Sequence, residues 1–363
     1  MTPAQVTRWV HSQFRGMHRT RLVTLSAMIV GFLRAARLGV AAIARGIVGK
    51  ALVRHRIKRV DRFLGNRGFD VSFLMERLTW LAVERMRRVV VALDRVEPRN
   101  GYRALVAAAC TGRGRSLPVA WTVVHSRRFY RSQNSIEEGL LRLLASFLPP
   151  AVRFRLTVVA DRGFGRASFI SALESLGFSY VIRVRGRVEV SGKEYKGLLE
   201  DYALEEREEV DLGWVEYRHD GAARTRVVMA WLRGHDEPLY LVTNLKRSPG
   251  KVVLAYRERM QEEESFRDLK SHRYGFALRY VKLSAAGRYL RLLAIWAIGM
   301  WLYFIQGLAA VKKGLDRGLS AASNRRRELS LVRIGVMLLE CAPGPPAALL
   351  ALLSRNPHLK RWG

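Results

Sequence analysis

The chain has 363 residues and a formal net charge of +32, from 63 Lys and Arg against 31 Asp and Glu. Nearly half of the residues are apolar, which excludes a disordered protein and allows two or three domains with hydrophobic cores. Two cysteines exclude a disulfide framework and a cysteine-rich zinc site, and they suit a reducing cytoplasm. The large positive charge predicts a polyanionic partner, with nucleic acid as the first candidate and an acidic membrane surface as the second.

The opening segment is predicted to be helical and to bind DNA. The first 88 residues contain 18 Lys and Arg against 4 Asp and Glu, and we expect a helical, basic domain over 1–87. Within it, LGVAAIARGI, a break at Gly49 and VRHRIKRVDRFLGN resemble a helix-turn-helix. The alternative is an ordinary solvated basic helix. The second helix would bury Ile57, Val60 and Leu64 and turn four cations outward, namely Arg54, Lys58, Arg59 and Arg62.

Short apolar strands begin at residue 88. RRVVVALD, YRALVAAAC and SLPVAWTVVH predict a strand meander, and a helix is expected from Asn134 to Phe147. RLTVVAD, GFGRASFISALESLG and FSYVIRVRG then predict a strand, a helix and a strand. Strands that first meander and then alternate with helices indicate a mixed α/β domain, which we assign to 88–186 and 246–290. Short strand-like pieces between the two parts predict a β-rich insertion over 187–245.

Two of the apolar strands end in an aspartate, Asp94 in VVVALDRV and Asp161 in LTVVADRGFG. An aspartate at a strand end is commonly a turn or helix cap. Two of them on strands that could be neighbours in one sheet also suit a divalent cation, because adjacent carboxylates repel each other unless a cation lies between them. Oxygen ligands without histidine or cysteine favour Mg²⁺ or Mn²⁺ over zinc.

A long helix predicted from Lys251 to His272 contains the third set of candidates. Its spacing is Tyr256-x2-Arg259-x3-Glu263-x6-Lys270, and at about 100° per residue all four side chains lie within an arc of about 60°. One face would present a carboxylate for metal, two cations for phosphate and an aromatic ring. The alternative is a solvated charged helix in which Arg259 and Glu263 form an i,i+4 pair.

A segment without charges, Leu292 to Val311, follows this helix. Its length and flanking cations are typical of a membrane-spanning helix. Gln306, two glycines and the lack of a second such segment favour the buried core of a soluble protein, which is the structure that we expect. The region 291–363 is predicted to be helical, with a basic tail that includes the run Arg325–Arg326–Arg327.

These motifs resemble a known family. Tyr-x2-Arg-x3-Glu-x6-Lys is the "YREK" signature of one group of bacterial insertion-sequence transposases of the DDE type. VVVALD, ADRGFG and PLYLVTNL resemble that group in the same order, and the resemblance covers roughly residues 50 to 310. It implies a ribonuclease-H-like α/β catalytic domain with a β-rich insertion, preceded by a helical DNA-binding domain and followed by a helical C-terminal region.

The resemblance also implies roles for single residues. Asp94, Asp161 and Glu263 would be the catalytic acids that hold two Mg²⁺ or Mn²⁺ ions. The phosphates of the transposon end would contact Tyr256, Arg259 and Lys270, with Arg162 as a further DNA contact. Many relatives place a threonine or serine just after the first aspartate, whereas Arg95 and Val96 follow here, so a hydroxyl contact at that point is in doubt.

A flipped DNA base is a further expectation from the resemblance. Relatives that form a DNA hairpin stack such a base on an aromatic ring of the insertion, and Tyr240 in PLYLVTNL is the candidate here. The aligned position can instead fall on Leu239, and an outward tyrosine on a strand is more often a packing residue.

The implied function is cut-and-paste transposition in the cytoplasm, at the nucleoid. Metal-dependent cleavage at the element ends would precede strand transfer to target DNA. The expected partners are double-stranded DNA (the terminal inverted repeats and the target) and a second copy of the chain when two ends are paired, with no membrane and no small-molecule cofactor. The alternatives are a metal-dependent DNA nuclease or resolvase of the same fold without strand transfer, and an inactive transposase that only binds DNA.

Overall fold

The computed structural model describes residues 1–86, 88–273, 275–319 and 328–341. The predicted basic run Arg325–Arg326–Arg327 lies outside the described residues, and so does 342–363. The helices that precede the first strand are α1 (Pro3–Gln13), α2 (Arg19–Ala35), α3 (Val40–Gly46), α4 (Val53–Gly65) and α5 (Val71–Arg85). Side-chain caps define three of these starts, because Thr2 accepts a hydrogen bond from the Gln5 N–H at α1, His18 accepts one from the Thr20 N–H at α2 and Asp70 accepts one from the Phe73 N–H at α5.

The predicted meander and the strand–helix–strand unit are both present. The meander consists of β1 (Val89–Val96), β2 (Tyr102–Cys110) and β3 (Ser116–His125). Asn100 and Gly101 have φ values of 64° and 70° in the turn between β1 and β2, a conformation that asparagine and glycine adopt most easily. The next elements are α6 (Ser126–Arg131), α7 (Gln133–Ser146), α8 (Pro150–Arg153), β4 (Leu156–Ala160), a 3₁₀ turn (Arg162–Phe164), α9 (Ala167–Ser175) and β5 (Ser179–Val184).

The predicted insertion consists of strands and hairpins. Its strands are β6 (Glu189–Ser191), β7 (Lys196–Leu198), β8 (Glu209–Arg218), β9 (Ala222–Ala230) and β10 (Leu239–Thr243). They do not form a separate sheet, because β10 pairs antiparallel with β5 and with β9. The described strands make one ten-stranded sheet in the order β3-β2-β1-β4-β5-β10-β9-β8-β6-β7.

The central strands set the edge at which the candidate acids lie. β1 pairs antiparallel with β2 and parallel with β4, and β4 pairs parallel with β5. In the parallel pair, Val91 is opposite Val158 and Leu93 is opposite Ala160. The carboxyl ends of β1 and β4 therefore lie side by side.

The last helices of the described chain are α10 (Pro249–Arg257), α11 (Met260–Lys270), α12 (Ala286–Lys312) and α13 (Leu331–Cys341). The prediction of one continuous helix from Lys251 to His272 is wrong. A turn at Glu258 and Arg259 separates α10 from α11, and its hydrogen bonds, from Arg259 N–H to Tyr256 O and from Glu262 N–H to Arg259 O, span three residues instead of four. The break lets α10 cover one face of the sheet while α11 reaches the turn between β2 and β3.

The charge-free segment forms α12, which is buried as expected. It is long and apolar enough to cross a membrane, but 89% of its most apolar window is buried inside the protein. α2 and α3 together also pass this test as a pair bent by 97°. Trp301 Nε1 of α12 donates to Pro118 O of β3, and Tyr303 Oη donates to Leu33 O of α2. The first helices, α12 and one face of the sheet thus share one continuous hydrophobic core.

Candidate active site

Asp94 and Asp161 lie next to each other at the carboxyl ends of β1 and β4. Each follows a paired residue of the parallel register, and neighbouring strands are about 4.8 Å apart. Asp94 Oδ1 accepts a hydrogen bond from the Arg95 N–H at 2.7 Å, and Asp161 Oδ1 accepts one from the Gly163 N–H at 2.9 Å. The second contact is the capping contact that an aspartate commonly makes at a strand end. Each carboxylate keeps a second oxygen for another partner.

Arg259 joins the third acid to the first. Its Nη1 lies 3.6 Å from Asp94 Oδ2, and its Nη2 donates to Glu263 Oε1. The i,i+4 pair expected for a charged helix therefore exists, but the same guanidinium also contacts the end of β1. The structure thus brings Glu263 to the edge where Asp94 and Asp161 lie.

The electrostatics of this group are those of three like charges around one cation. Burial raises the pKa of Asp94, and the negative charges of Asp161 and Glu263 raise it further, while the Arg95 N–H and Arg259 lower it. Burial alone would lower the pKa of Arg259, but Tyr256, Glu263, Asp94 and Asp161 raise it above its ordinary value. The three acids therefore favour a positive charge at the place where the Arg259 guanidinium lies.

Tyr256 and Lys270 occupy different surroundings. The Tyr256 ring is 8% exposed in the apolar layer between α10 and the sheet, and the Arg259 guanidinium carbon lies 5.9 Å from its centroid. Lys270 is on the surface, where it lines a cavity of about 420 Å³ together with Glu263. Three further residues of that lining have basic side chains, namely Arg267, His272 and Arg279.

Polar contacts with the turn between β2 and β3 hold α11 in place. Gln261 Oε1 accepts a hydrogen bond from the Thr111 N–H at 3.0 Å, and Ser265 Oγ accepts one from the Ser116 N–H at 2.9 Å. Arg115 Nε donates to Asp268 at 2.7 Å. These contacts fix the rotation of the helix and hence the direction of Glu263.

Sequence reasoning missed the burial of Glu262. Its side chain is fully buried, and neither carboxylate oxygen has a hydrogen-bond partner among the described residues. Burial, followed by the charge of Asp94, raises the pKa of Glu262 well above its ordinary value, which favours the neutral form of the carboxyl group. The signal was present in the sequence, because 262 lies three, four and seven residues before the buried Ser265, Phe266 and Leu269.

Residues 125–298 match the transposase DDE domain. The matched segment contains Asp161 and Glu263 and begins after Asp94. The match supports a DDE transposase, and so a soluble enzyme that acts on DNA and has a ribonuclease-H-like α/β fold, with which the mixed sheet agrees. No curated protein matches the chain.

An ion triad around the buried Glu137 supports the loops of Asp94 and Asp161, of which only Asp161 lies in the matched segment. Glu137 of α7 is fully buried, with Oε1 at 2.5 Å from Arg95 Nη2 and Oε2 at 2.6 Å from Arg166 Nη1. Arg95 follows Asp94 and its guanidinium carbon lies 4.3 Å from the centroid of the Phe164 ring, whereas Arg166 closes the loop that begins at Asp161. The sequence offered no signal for this triad, since its members lie on three separate elements.

Two predicted DNA contacts of the DDE domain lie beside acidic groups. Arg162 is exposed, and its Nη1 lies 3.7 Å from Glu237. Tyr240 is half-buried on β10, opposite Val184. Burial raises the pKa of Tyr240, and the nearby Glu200 and Glu237 raise it further. The position of Tyr240 agrees with a packing role, and its stacking role stays a prediction.

α4 places its cations as the sequence predicts. Arg54, Lys58, Arg59 and Arg62 are exposed, whereas Val60 and Leu64 are buried and Ile57 packs against the core. The turn before α4 is held by Arg56, whose guanidinium donates to the carbonyl oxygens of Ile47, Gly49 and Ala51 at 2.6, 2.6 and 2.8 Å. DNA contact by this surface stays a prediction.

DDE transposases generally depend on divalent metal, and the three acids fit such ions by their chemistry. They offer carboxylate oxygens without histidine or cysteine, which Mg²⁺ and Mn²⁺ prefer. Burial is the main cause of the raised pKa of Asp94, and the negative charges of Asp161 and Glu263 add to it, so a cation beside these acids would favour the charged carboxylate. Within the described ranges, however, no group of three or more His, Cys, Asp or Glu has the geometry of a metal site. Arg259 occupies the place between Asp94 and Glu263 instead.

Proposed function

We propose that the chain is a cut-and-paste DNA transposase of the insertion-sequence group that has the YREK signature. The observation that supports this best is the contact of one guanidinium, Arg259, with both Asp94 and Glu263 beside Asp161. Three acids that lie far apart in the sequence meet at one edge of the sheet. Arg259 and Lys270, the two cations of the signature, lie on either side of Glu263.

In this proposal Asp94, Asp161 and Glu263 hold two Mg²⁺ or Mn²⁺ ions. When bound, such ions lower the pKa of a water molecule for attack on a phosphodiester and stabilise the leaving 3′ oxygen. The protein supplies the rest of the chemistry. Asp94 is half-buried, so one of its sides stays open to a ligand, and the ion triad of Arg95, Glu137 and Arg166 holds the two aspartate loops together. No side-chain base is required.

The DNA would lie along the cations that surround the acids. Arg259 would exchange its carboxylate partners for a DNA phosphate when metal binds, and Lys270 with the basic lining of its cavity would hold the strand beyond Glu263. The exposed cations of α4 would bind the duplex farther away. We expect strong salt dependence of binding, a dimer on paired ends and a location at the nucleoid.

The experiment is a nicking assay in Mg²⁺ on a duplex with the terminal inverted repeat that flanks the reading frame. Asp94→Asn, Asp161→Asn and Glu263→Gln should bind this DNA but not nick it. Glu264→Gln is the matched control, because the same helix presents this acid to Arg115 and Arg267 instead. Near-normal nicking by one of the three variants would remove that residue from the metal site.

A second assay tests strand transfer. Pre-cut ends incubated with target DNA should be joined to it by the wild-type chain. A protein that nicks but never joins would be a nuclease or resolvase of the same fold, and a protein that binds without nicking would be an inactive DNA-binding derivative.

A further inference from the structure

A polar cavity of about 630 Å³ opens beside the loop that follows Asp161. We call it the α7 pocket, because the N-terminus of α7 forms one wall. The other walls are the loop from Arg162 to Arg166 and the turn between β8 and β9. Four arginines are among its lining residues, against one carboxylate, that of Asp220: they are Arg131, Arg162, Arg166 and Arg185.

Arg166 brings an excess of buried positive charge to this pocket. Its side chain is only 6% exposed, and it shares Glu137 with Arg95, so the three groups have a net charge of +1. Arg166 Nε and Nη2 have no hydrogen-bond partner within the described part of the chain. A buried guanidinium with unused N–H groups is unfavourable unless an anion compensates for it.

The start of α7 adds a second, independent preference for an anion. α7 has 14 residues, and its N-cap Ser132 makes no side-chain capping bond. The first N–H groups of a helix lack partners within the helix and carry the positive end of its dipole. Such a terminus is suited to a phosphate group.

Two further arginines are available to a ligand. Arg131 and Arg185 are exposed, and neither has a carboxylate within salt-bridge distance among the residues described. Arg162 is only loosely paired with Glu237, at 3.7 Å and with both side chains more than half exposed.

We propose that the α7 pocket binds a backbone phosphate of the DNA that enters the active site. The proposal rests on the proposed function, since it requires DNA as the substrate. Arg162 and Gly163 belong to both the pocket and the loop of Asp161. A phosphate in the pocket would therefore fix the strand next to the phosphodiester that is cut. It would also neutralise the charge that Glu137 leaves uncompensated.

The test is the salt dependence of DNA binding by the full chain, measured by fluorescence anisotropy without divalent metal. The probe is the duplex with the terminal inverted repeat. Arg131→Gln and Arg185→Gln should each weaken binding and lower the slope of log K against log salt, and the double variant should lower it by about 0.9, the value for one phosphate contact. Arg166 is left unchanged in this series, because the ion triad supports the fold.

Arg142→Gln is the matched control. Arg142 lies on α7 but outside the pocket lining, is 59% exposed and pairs only with Glu138 among the described residues. The slope of log K against log salt for Arg142→Gln should equal that of the wild type. The phosphate site would be overturned if Arg131→Gln and Arg185→Gln gave the same slope as the control while their thermal unfolding was unchanged. A failure of the proposed function would differ, because DNA would still bind but would not be nicked when Mg²⁺ is added.

Discussion

Arg259 Nη1 lies 3.6 Å from Asp94 Oδ2, and the same guanidinium contacts Glu263. A bound metal ion must therefore compete with a protein cation. In Arg259→Gln we expect Mn²⁺ to bind the DNA-free protein at least as tightly as in the wild type, because the competing charge is gone. DNA nicking should fall roughly 10- to 100-fold, since a charged hydrogen bond to phosphate contributes about 1.5–3 kcal/mol. Paramagnetic resonance titration and a nicking assay measure the two effects.

The control for this prediction is Arg257→Gln, an exposed arginine two residues earlier, at the end of α10. It should change neither Mn²⁺ affinity nor nicking. Weaker Mn²⁺ binding by Arg259→Gln would mean that the guanidinium orders the acids for metal and does not compete with it.

Glu137 pairs with the buried Arg166 and the half-buried Arg95, and its negative charge should stabilise the fold. Glu137→Gln keeps the shape of the side chain but leaves Arg95 and Arg166 without a counter-charge in the protein interior. Removal of one member of a buried ion group commonly costs about 3–5 kcal/mol. We expect a loss of this size in the free energy of unfolding, measured by urea denaturation.

Glu138→Gln provides the comparison for Glu137. Glu138 is the next residue of α7 and pairs with Arg142 near the surface. Exposed pairs of this kind contribute about 0–1 kcal/mol. Equal losses in the two variants would show that the triad is solvated and does not stabilise the loops of Asp94 and Asp161.

Local patterns were enough to predict the two strands that hold the aspartates of the site. The apolar runs of β1 and β4 end at Asp94 and Asp161, and parallel pairing then places the two acids together. The burial of α12 also followed from its composition and from the lack of a second such segment. These features depend on the side chains of one short segment at a time.

The remaining features depend on contacts between distant segments. The break at Glu258 and Arg259 has no proline or glycine to mark it, and it arises because α10 and α11 pack on different parts of the sheet. The pairing of β10 with β5, which merges the insertion with the catalytic sheet, is likewise a tertiary contact. Neither could be predicted from periodicity alone.

Glu262 should make the stability of the protein depend on pH. Its folded-state pKa lies well above the ordinary value of 4.5. Below the ordinary value of 4.5, which applies to the unfolded chain, the carboxyl is protonated in both the folded and the unfolded chain. As pH rises above it, only the unfolded chain loses the proton, so the folded state loses stability by up to about 1.4 kcal/mol per pH unit until the folded pKa is reached.

Glu262→Met removes this effect, because its apolar side chain of similar length cannot ionise. The variant should be more stable than the wild type, and the difference should grow from pH 4.5 towards neutrality. Urea unfolding of both proteins at several pH values measures it. A difference that stays constant with pH would show that Glu262 titrates normally in the folded protein.

The crossing of α12 and α13 depends on the absence of a side chain at Gly307. A Cβ atom there would lie 1.8 Å from the carbonyl oxygen of Leu331, and a backbone atom cannot move aside as a flexible side chain can. Gly307→Ala should therefore force the two helices apart and lower the free energy of unfolding by about 1–3 kcal/mol or more.

Gly139→Ala is the matched control, since Gly139 lies within α7 with nothing within 4 Å of its added Cβ. That variant should gain about 0.5–1 kcal/mol, because alanine is the better helix former. Equal stabilities of the two variants in thermal unfolding would mean that α13 does not pack on α12 through Gly307.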